Sequence, residues 1–126
     1  MIRGIRGAIT VDRNEEELIV GATERLLGTI IAENRIEPDH VASVFISVTE
    51  DIDAAFPAKG LRAFDGWTFV PVMCMREINV PGGLPSCIRI MLHVNTEQGQ
   101  QEIRHIYLEG AVILRPDLNV GESADI

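Results

Sequence analysis

A chain of 126 residues is long enough for one domain with a substantial hydrophobic core and short for two. The formal net charge of −8 argues against general binding to nucleic acids or acidic membranes, so an anionic ligand would have to be held by a local cluster of cations. No apolar run reaches the ~20 residues that span a bilayer, and the basic start is unlike a signal peptide. Cys74 and Cys87 have neither metal-site nor disulfide spacing. We therefore expect a reduced, cytoplasmic protein.

The first half of the chain predicts a strand, a long helix and a second strand. Residues 2–11 form the first predicted strand, in which Gly7 would let other backbone or a ligand come close. A helix is predicted from the candidate N-cap Asn14 to a stop before Pro38, because apolar residues recur at three- and four-residue spacing between them. Alternating side chains over 41–49 predict the next strand.

The second half predicts one short helix and three more strands. Pro57 suits the first position of a short helix over 56–64. The predicted strands are 67–73, 87–94 and 106–114. The order β-α-β-α-β-β-β indicates an α/β or α+β domain, with a single mixed sheet and one long helix packed on it. The uncovered face of such a sheet would suit a neighbouring subunit.

An arginine near the middle of the strand over 87–94 needs an explanation. Strand alternation places Arg89 on the same face as Cys87, Met91 and His93. Cysteine and methionine are uncommon on exposed surfaces, which indicates that this face is at least partly enclosed.

Positively charged residues recur inside or at the ends of apolar segments. They are Arg6, Lys59, Arg62, Arg89 and Arg115. Taken singly, each is more often a solvated residue than a ligand contact, and Glu77, Cys74 and Tyr107 also have ordinary structural interpretations. Taken together in an acidic protein, the cations predict a pocket for a small di- or tricarboxylate at a subunit interface, since arginine pairs well with carboxylates.

The chain lacks the usual motifs of cofactor, metal or nucleophilic chemistry. It has no glycine-rich phosphate loop, no G-x-S-x-G elbow and no helical histidine pair. His40, His93 and His105 are scattered, with no obvious carboxylate or nucleophile partner. We therefore predict no metal, no cofactor and no covalent intermediate.

Four segments, taken in order, closely resemble the monofunctional AroH-class chorismate mutases. They are MIRGIRGAITV, FPAKGLRAFDGWTFVPVMCMREI, GGLPSCIRIMLHV and IRHIYLEGAVILRPDL. The resemblance implies a single catalytic domain over residues 1–118 and a mobile C-terminal tail over 119–126. It also implies a homotrimer with a pseudo-α/β-barrel appearance and active sites between subunits. The family isomerises chorismate to prephenate, at the branch toward phenylalanine and tyrosine.

The resemblance also implies roles for individual side chains. Arg89 would be the main catalytic residue, a fixed cation beside the ether oxygen on which negative charge builds in the transition state. Glu77 and Cys74 would engage the ring hydroxyl, and the charge of Glu77 would favour the electron-poor ring fragment. Arg6 and Tyr107 would bind the side-chain carboxylate.

Other positions are implied to line and close the cleft. The neighbouring chain would contribute Phe56, Ala58, Lys59 and Arg62. Leu114 and Arg115 would close over the ring carboxylate as the tail orders. Val72 matches a wall position, whereas Met73 stands where the family has threonine, so a more apolar wall is expected. Gly60 replaces a bulkier residue and is expected to loosen the short helix.

The sequence alone leaves two other functions as alternatives. A non-catalytic trimeric sensor of an aromatic-pathway acid would need the carboxylate clamps but no cation at the ether oxygen. A hydrolytic deaminase on a similar scaffold would need a positioned water and a base, for which the chain offers only Glu77. The presence of Arg89 together with Glu77 favours the isomerase.

Overall fold

A computed structural model describes residues 1–114. Five strands in this part of the chain form one mixed β-sheet. Its strands are β1 (Ile2–Thr10), β2 (Val41–Val48), β3 (Val72–Arg76), β4 (Cys87–Asn95) and β5 (Ile106–Leu108). Their order is β3-β2-β4-β1-β5; β1 and β2 run antiparallel to β4, while β3 is parallel to β2 and β5 is parallel to β1. The predicted class, one mixed sheet with one long helix, is confirmed. Arg115 and the tail predicted over 119–126 lie outside the described residues.

The long helix α1 (Glu16–Asn34) covers one face of the sheet. Four side chains of its apolar stripe are fully buried, namely Ile19, Leu26, Leu27 and Ile30. Full burial of such side chains stabilises the fold by roughly 1.5–3 kcal/mol each, before conformational entropy is counted. The main core therefore lies between α1 and one face of the sheet. We call the opposite face the open face.

The predicted close approach at Gly7 of β1 is confirmed. A Cβ atom at this position would lie 2.8 Å from Cδ1 of Ile30 and 2.9 Å from the carbonyl oxygen of Ile106. Both distances are too short for a real side chain, so glycine sets how closely α1 and β5 approach β1.

The prediction of Asn14 as the N-cap of α1 is wrong. Glu15 occupies the capping position and makes no side-chain capping bond. The side-chain oxygen of Asn14 instead accepts hydrogen bonds from the backbone of Asp53 and Ala54, each at 3.0 Å. Asn14 therefore fastens the loop after β2 to the start of the helix.

A buried asparagine joins the end of α1 to the segment before β5. Nδ2 of Asn34 donates to the carbonyl oxygens of Ile30 at 3.0 Å and Arg104 at 2.9 Å, and its Oδ1 accepts the Arg104 N–H at 2.8 Å. Both ends of the amide are satisfied, which makes its burial tolerable. We call the two bonds between Asn34 and Arg104 the Asn34 clasp.

The strand predicted over 67–73 is wrong in position, because β3 starts only at Val72. The residues before it form turns, and the side chain of Trp67 is buried there. Pro71 has no N–H, but its carbonyl oxygen accepts the N–H of Val44 at 2.9 Å, so the pairing with β2 begins at this point. Trp67 is buried and Val70 packs against the main core, whereas Phe69 is 95% exposed, so this apolar stretch is a turn anchored by Trp67.

The strand predicted over 106–114 is too long, because β5 has only 3 residues. Glu109 takes a left-handed φ of 52° and begins a 3₁₀ segment, Glu109–Ile113. The N–H of Gly110 donates to the hydroxyl of Thr10 at 2.8 Å, at the last residue of β1. The chain therefore leaves the sheet where its partner strand ends.

The short helix predicted over 56–64 is a 3₁₀ segment, Pro57–Ala63, that packs on α1. Gly60 is buried at the contact, and a Cβ there would lie 2.8 Å from Cβ and 2.9 Å from Cγ2 of Thr23. The structure thus gives Gly60 a role other than the expected loosening. Its missing side chain lets the segment pack tightly against the helix.

Gly60→Ala is expected to lower the free energy of unfolding by about 1–3 kcal/mol, because the added methyl group must displace Thr23 or the 3₁₀ segment. Urea denaturation at a fixed protein concentration measures the change.

Gly21→Ala is the matched control for this substitution. Gly21 lies in α1, and nothing comes within 4 Å of the position of an added Cβ. The change is expected to raise stability by about 0.5–1 kcal/mol, because alanine favours the helix. A Gly60→Ala protein as stable as the Gly21→Ala protein would contradict the packing interpretation.

Candidate active site

A row of side chains crosses the open face through all five strands. The register aligns Met75 of β3, Ser47 of β2, Arg89 of β4, Ala8 of β1 and Tyr107 of β5. Side chains that are paired in register point to the same face of a sheet. Arg89 therefore lies at the centre of the row, between two small side chains that leave room beside its guanidinium.

The open face is partly enclosed around Arg89, as the sequence predicted. Cys87 is buried, Met91 and His93 are half-buried, and the Arg89 side chain is 48% exposed. Burial raises the pKa of the Cys87 thiol, although the charge of Arg89 opposes this shift. The thiol is therefore neutral at neutral pH and does not offset the positive charge of Arg89.

The 3₁₀ segment Glu109–Ile113 closes one end of the open face. Its Ala111 belongs to a small second core, against which Leu114 packs. The buried members of this core are Ala8, Cys87, Tyr107 and Ala111. An ion pair between Arg25 of α1 and Glu109 fastens the segment to the helix. The turn after β5 thus brings Leu114 to the site, which a continued strand would not do.

Glu77 is in direct contact with Arg89. Its Oε2 lies 3.2 Å from Nε of Arg89 and accepts a hydrogen bond from Oγ of Ser47 at 2.9 Å. Glu77 directly follows β3, and its backbone N–H donates to the carbonyl oxygen of Val48 at 2.8 Å. Because a guanidinium has five N–H donors, engagement of Nε leaves donors on the terminal nitrogens for an anion.

Arg6 contributes a second cation to the open face. It pairs in register with Met91, and its backbone N–H donates to Nδ1 of His105 at 3.0 Å. Its guanidinium forms no ion pair within residues 1–114. Arg6 borders a cavity of about 320 Å³, which we call the Arg89 cavity; its lining includes Arg6, Ser47, Glu77, Arg89, Tyr107 and Leu114. With two guanidinium groups and one carboxylate, this cavity is locally positive in an acidic protein.

A second cavity, of about 430 Å³, lies beside β3. We call it the Phe56 cavity, and its lining includes Phe56, Lys59 and Cys74. Cys74 pairs in register with the core residue Ile46, so its side chain points away from the open face. The Phe56 ring is 71% exposed, and Lys59 forms an ion pair with Glu16 of α1.

The remaining predicted site residues lie near these cavities or on the surface. Ala58 and Val72 pack against the main core, whereas Arg62 and Met73 are exposed. Arg115 lies outside the described residues. Neither cavity is lined by a predicted residue of the other. One chain therefore presents the predicted site as two separate groups.

The loop after β2 fixes the start of β4, just before Arg89. Oγ1 of Thr49 accepts the N–H of Cys87 at 3.0 Å, and Asp51 accepts the N–H of Ser86 at 2.9 Å. The hydroxyl of Thr49, together with the donors of Ser86, lowers the pKa of the Asp51 carboxyl. An ionised Asp51 thus holds the chain where it enters the strand.

No group of three or more histidine, cysteine, aspartate or glutamate side chains within residues 1–114 is arranged to hold a metal ion. In the same part of the chain, no helix is long and apolar enough to cross a bilayer. The Arg89 cavity itself presents fixed charges and hydrogen-bond donors.

Ser47 lines the site, although it was not among the residues predicted from the sequence. Strand alternation already places it on the face opposite Ile46. Its contact with Glu77 could not be inferred, because that contact depends on how β2 pairs with β3 and β4, which are distant in sequence.

The chain is similar over most of its length to known chorismate mutases. Residues 2–118 match the family model of chorismate mutase type I. The chain is 50% identical to chorismate mutase AroH of Bacillus subtilis strain 168, over 100% of this chain and 99% of that protein. It is 46% identical to chorismate mutase AroH of Thermus thermophilus, over 94% of this chain and 97% of that protein.

A solved chorismate mutase from Clostridium thermocellum has a similar structure, with a TM-score of 0.85 and 47% sequence identity. The similarity covers 88% of this chain and 98% of that chain. The family model and the sequence identities both extend over nearly the whole chain and point to the same family. The chain belongs to the chorismate mutase type I family.

Proposed function

We propose that this protein is an isomerase that converts chorismate to prephenate, with the reacting part of the substrate in the Arg89 cavity. The observation that carries the proposal is a guanidinium held 3.2 Å from the carboxylate of Glu77, in a cavity that also contains Arg6. Family membership over residues 2–118 supports the same reaction. The enzyme would act in the cytoplasm, at the branch toward phenylalanine and tyrosine.

The rearrangement breaks a C–O bond and forms a C–C bond in one concerted step, without proton transfer or a leaving group. Catalysis must therefore come from holding the reactive conformer and from stabilising charge in the transition state. Negative charge builds on the ether oxygen as its bond to the ring stretches. We assign Arg89 to this oxygen, because the contact with Glu77 fixes the direction of its remaining donors. Glu77 would face the ring hydroxyl and the electron-poor ring fragment.

The two carboxylates of chorismate require cations of their own. We assign Arg6 and the Tyr107 hydroxyl to the side-chain carboxylate, because both residues line the Arg89 cavity and arginine can bind a carboxylate through two parallel bonds. Leu114 lines the same cavity and would close over the ring carboxylate together with Arg115. The cations matter because the chain as a whole carries a charge of −8.

We also propose a homotrimer in which the Arg89 cavity of one chain meets the Phe56 cavity of the next. Support comes from the separation of the two groups on one chain and from apolar surface on the open face. Phe45, Met73 and Met75 are 36%, 59% and 41% exposed there, and a neighbouring subunit would bury them. Cys74 lies in the Phe56 cavity, so it would reach the ring hydroxyl only across such an interface. The neighbouring chain would contribute Phe56, Ala58, Lys59, Arg62, Val72 and Met73.

The sensor and deaminase interpretations are not favoured. A sensor would not need a cation fixed at the ether oxygen. The contact between Glu77 and Arg89 fixes such a cation, and this favours the isomerase. A deaminase would need a general base and a positioned water, whereas Glu77, the acidic residue that lines the Arg89 cavity, is paired through Oε2 with Ser47 and Arg89. This arrangement suits a carboxylate that holds a cation.

The test is an absorbance assay of chorismate loss, with the product identified as prephenate by NMR. We expect purified protein to convert chorismate fully and in proportion to enzyme concentration. Arg89→Ala, purified in the same way, controls for host chorismate mutase. Equal rates for the two preparations, or a product other than prephenate, would contradict the proposal.

A further inference from the structure

We propose that Ser47 is a positioning residue for the reaction: it holds Glu77 so that Glu77 in turn holds the Arg89 guanidinium. The inference rests on the proposed function and adds to it a residue that does not itself touch the substrate. It comes from one geometric fact, which is that a hydrogen bond from Ser47 and an ion pair with Arg89 meet at a single carboxylate oxygen.

That oxygen is Oε2 of Glu77. Oγ of Ser47 donates a hydrogen bond to it at 2.9 Å, and Nε of Arg89 lies 3.2 Å from it. The other oxygen, Oε1, makes no hydrogen bond or ion pair with residues 1–114 and is left for a ligand. A hydrogen bond and an ion pair on one oxygen restrict the rotation of the carboxylate more than the ion pair alone would.

The backbone supports the same arrangement. The N–H of Glu77 donates to the carbonyl oxygen of Val48 at 2.8 Å, so the residue after Ser47 holds the main chain of Glu77 while Ser47 holds its side chain. Ser47 is also the partner of Arg89 in the register of β2 and β4. An unrestrained glutamate has several rotatable bonds, and these two anchors restrict it before substrate arrives.

The alternative is a half-buried strand serine without a role in the reaction, and Ser43 is an example of such a residue. Ser43 lies on the same strand and face, and its Oγ is 3.1 Å from Nδ1 of His93. It does not line the Arg89 cavity, whereas Ser47 does. The two serines therefore make similar contacts with a side chain of a neighbouring strand, but only one of them faces the proposed site.

The first experiment compares three variants by steady-state kinetics with chorismate. Ser47→Ala is expected to lower kcat by about 10- to 100-fold with little change in KM, because it removes a hydrogen bond to a charged group that orients the catalytic cation. Ser47→Thr keeps the hydroxyl and is expected to stay within about threefold of wild type. Ser43→Ala is the matched control and is expected to leave kcat unchanged. Circular dichroism and sedimentation verify the fold and assembly of each variant.

A double-mutant cycle separates positioning from a direct contact with substrate. Ser47→Ala is measured again in a Glu77→Ala background at high enzyme concentration. If Ser47 acts through Glu77, adding Ser47→Ala to the Glu77→Ala protein changes kcat/KM by less than about twofold. The same 10- to 100-fold loss in both backgrounds would overturn the inference, as would equal impairment of Ser47→Thr and Ser47→Ala.

The outcomes also distinguish this inference from the function on which it rests. Wild-type protein that does not form prephenate removes the proposed function itself. Active wild-type protein with a normal Ser47→Ala variant leaves that function in place and rejects only the positioning role.

Discussion

Replacing Arg89 with lysine is expected to lower kcat by about 10²–10³-fold, the usual loss when one preorganised donor at a developing oxyanion is removed. Lysine keeps the positive charge, but its ammonium is a single hydrated point on a flexible stem. It cannot contact Oε2 of Glu77, now 3.2 Å from Nε of Arg89, and also present a planar pair of donors to the substrate. Because the cation matters more in the transition state than in the ground state, kcat should fall more than KM rises.

Arg104→Lys is the matched control for this prediction. Arg104 forms an ion pair with Glu33 at 3.7 Å, its side chain is 57% exposed, and it lines neither the Arg89 cavity nor the Phe56 cavity. Its replacement should leave kcat and KM unchanged. A folded Arg89→Lys enzyme with kcat close to that of Arg104→Lys would reject Arg89 as the catalytic cation.

A 1:1 mixture of Arg62→Ala and Arg89→Ala chains, assembled together, is expected to regain about a quarter of wild-type activity, although each variant alone is nearly inactive. If each site uses Arg89 of one chain and Arg62 of the next, every trimer that contains both kinds of chain has one intact site of three. About three quarters of randomly assembled trimers contain both kinds. The measurement is kcat/KM per chain after co-refolding, with sedimentation to show the assembly.

The control mixture pairs two residues of the same cavity. Arg6→Ala and Arg89→Ala chains both damage the Arg89 cavity, so no combination of them yields an intact site. This mixture should therefore stay inactive. Recovery in both mixtures, or in neither, would contradict sites built from two different chains.

The sequence predicted well those features that depend on local pattern. The alternation in 87–94 placed Arg89 with Cys87 on a partly enclosed face, and the structure agrees. Helix spacing likewise located α1, because a stripe of buried aliphatic side chains is visible in a single stretch of chain. Its N-cap was missed because Asn14 prefers the backbone of Asp53 and Ala54, a contact that no local pattern reveals.

Features that depend on distant partners were not predictable in the same way. The apolar residues after Trp67 resemble a strand, but the pairing with β2 begins only at Pro71. Proline has no N–H, so only its carbonyl oxygen can form a hydrogen bond with β2. Likewise, the stretch after β5 keeps an apolar composition, but it turns at Glu109 because β1 ends beside it. Cys74 and Glu77 are close in sequence, yet the pleat of β3 directs the thiol to the other side of the sheet. Composition does not encode these register effects.

The Asn34 clasp makes the last turn of α1 and the short strand β5 a single unit of local opening. A strand of 3 residues has few ladder bonds of its own, so its attachment depends on what precedes it. If the helix end frays, Arg104 loses both of its hydrogen bonds to Asn34 at once, and the attachment of Tyr107, three residues further on, then depends on its pairing with β1 and on the second core. We therefore expect fraying at the end of α1 to loosen β5 on the opposite face of the sheet, where the substrate would sit.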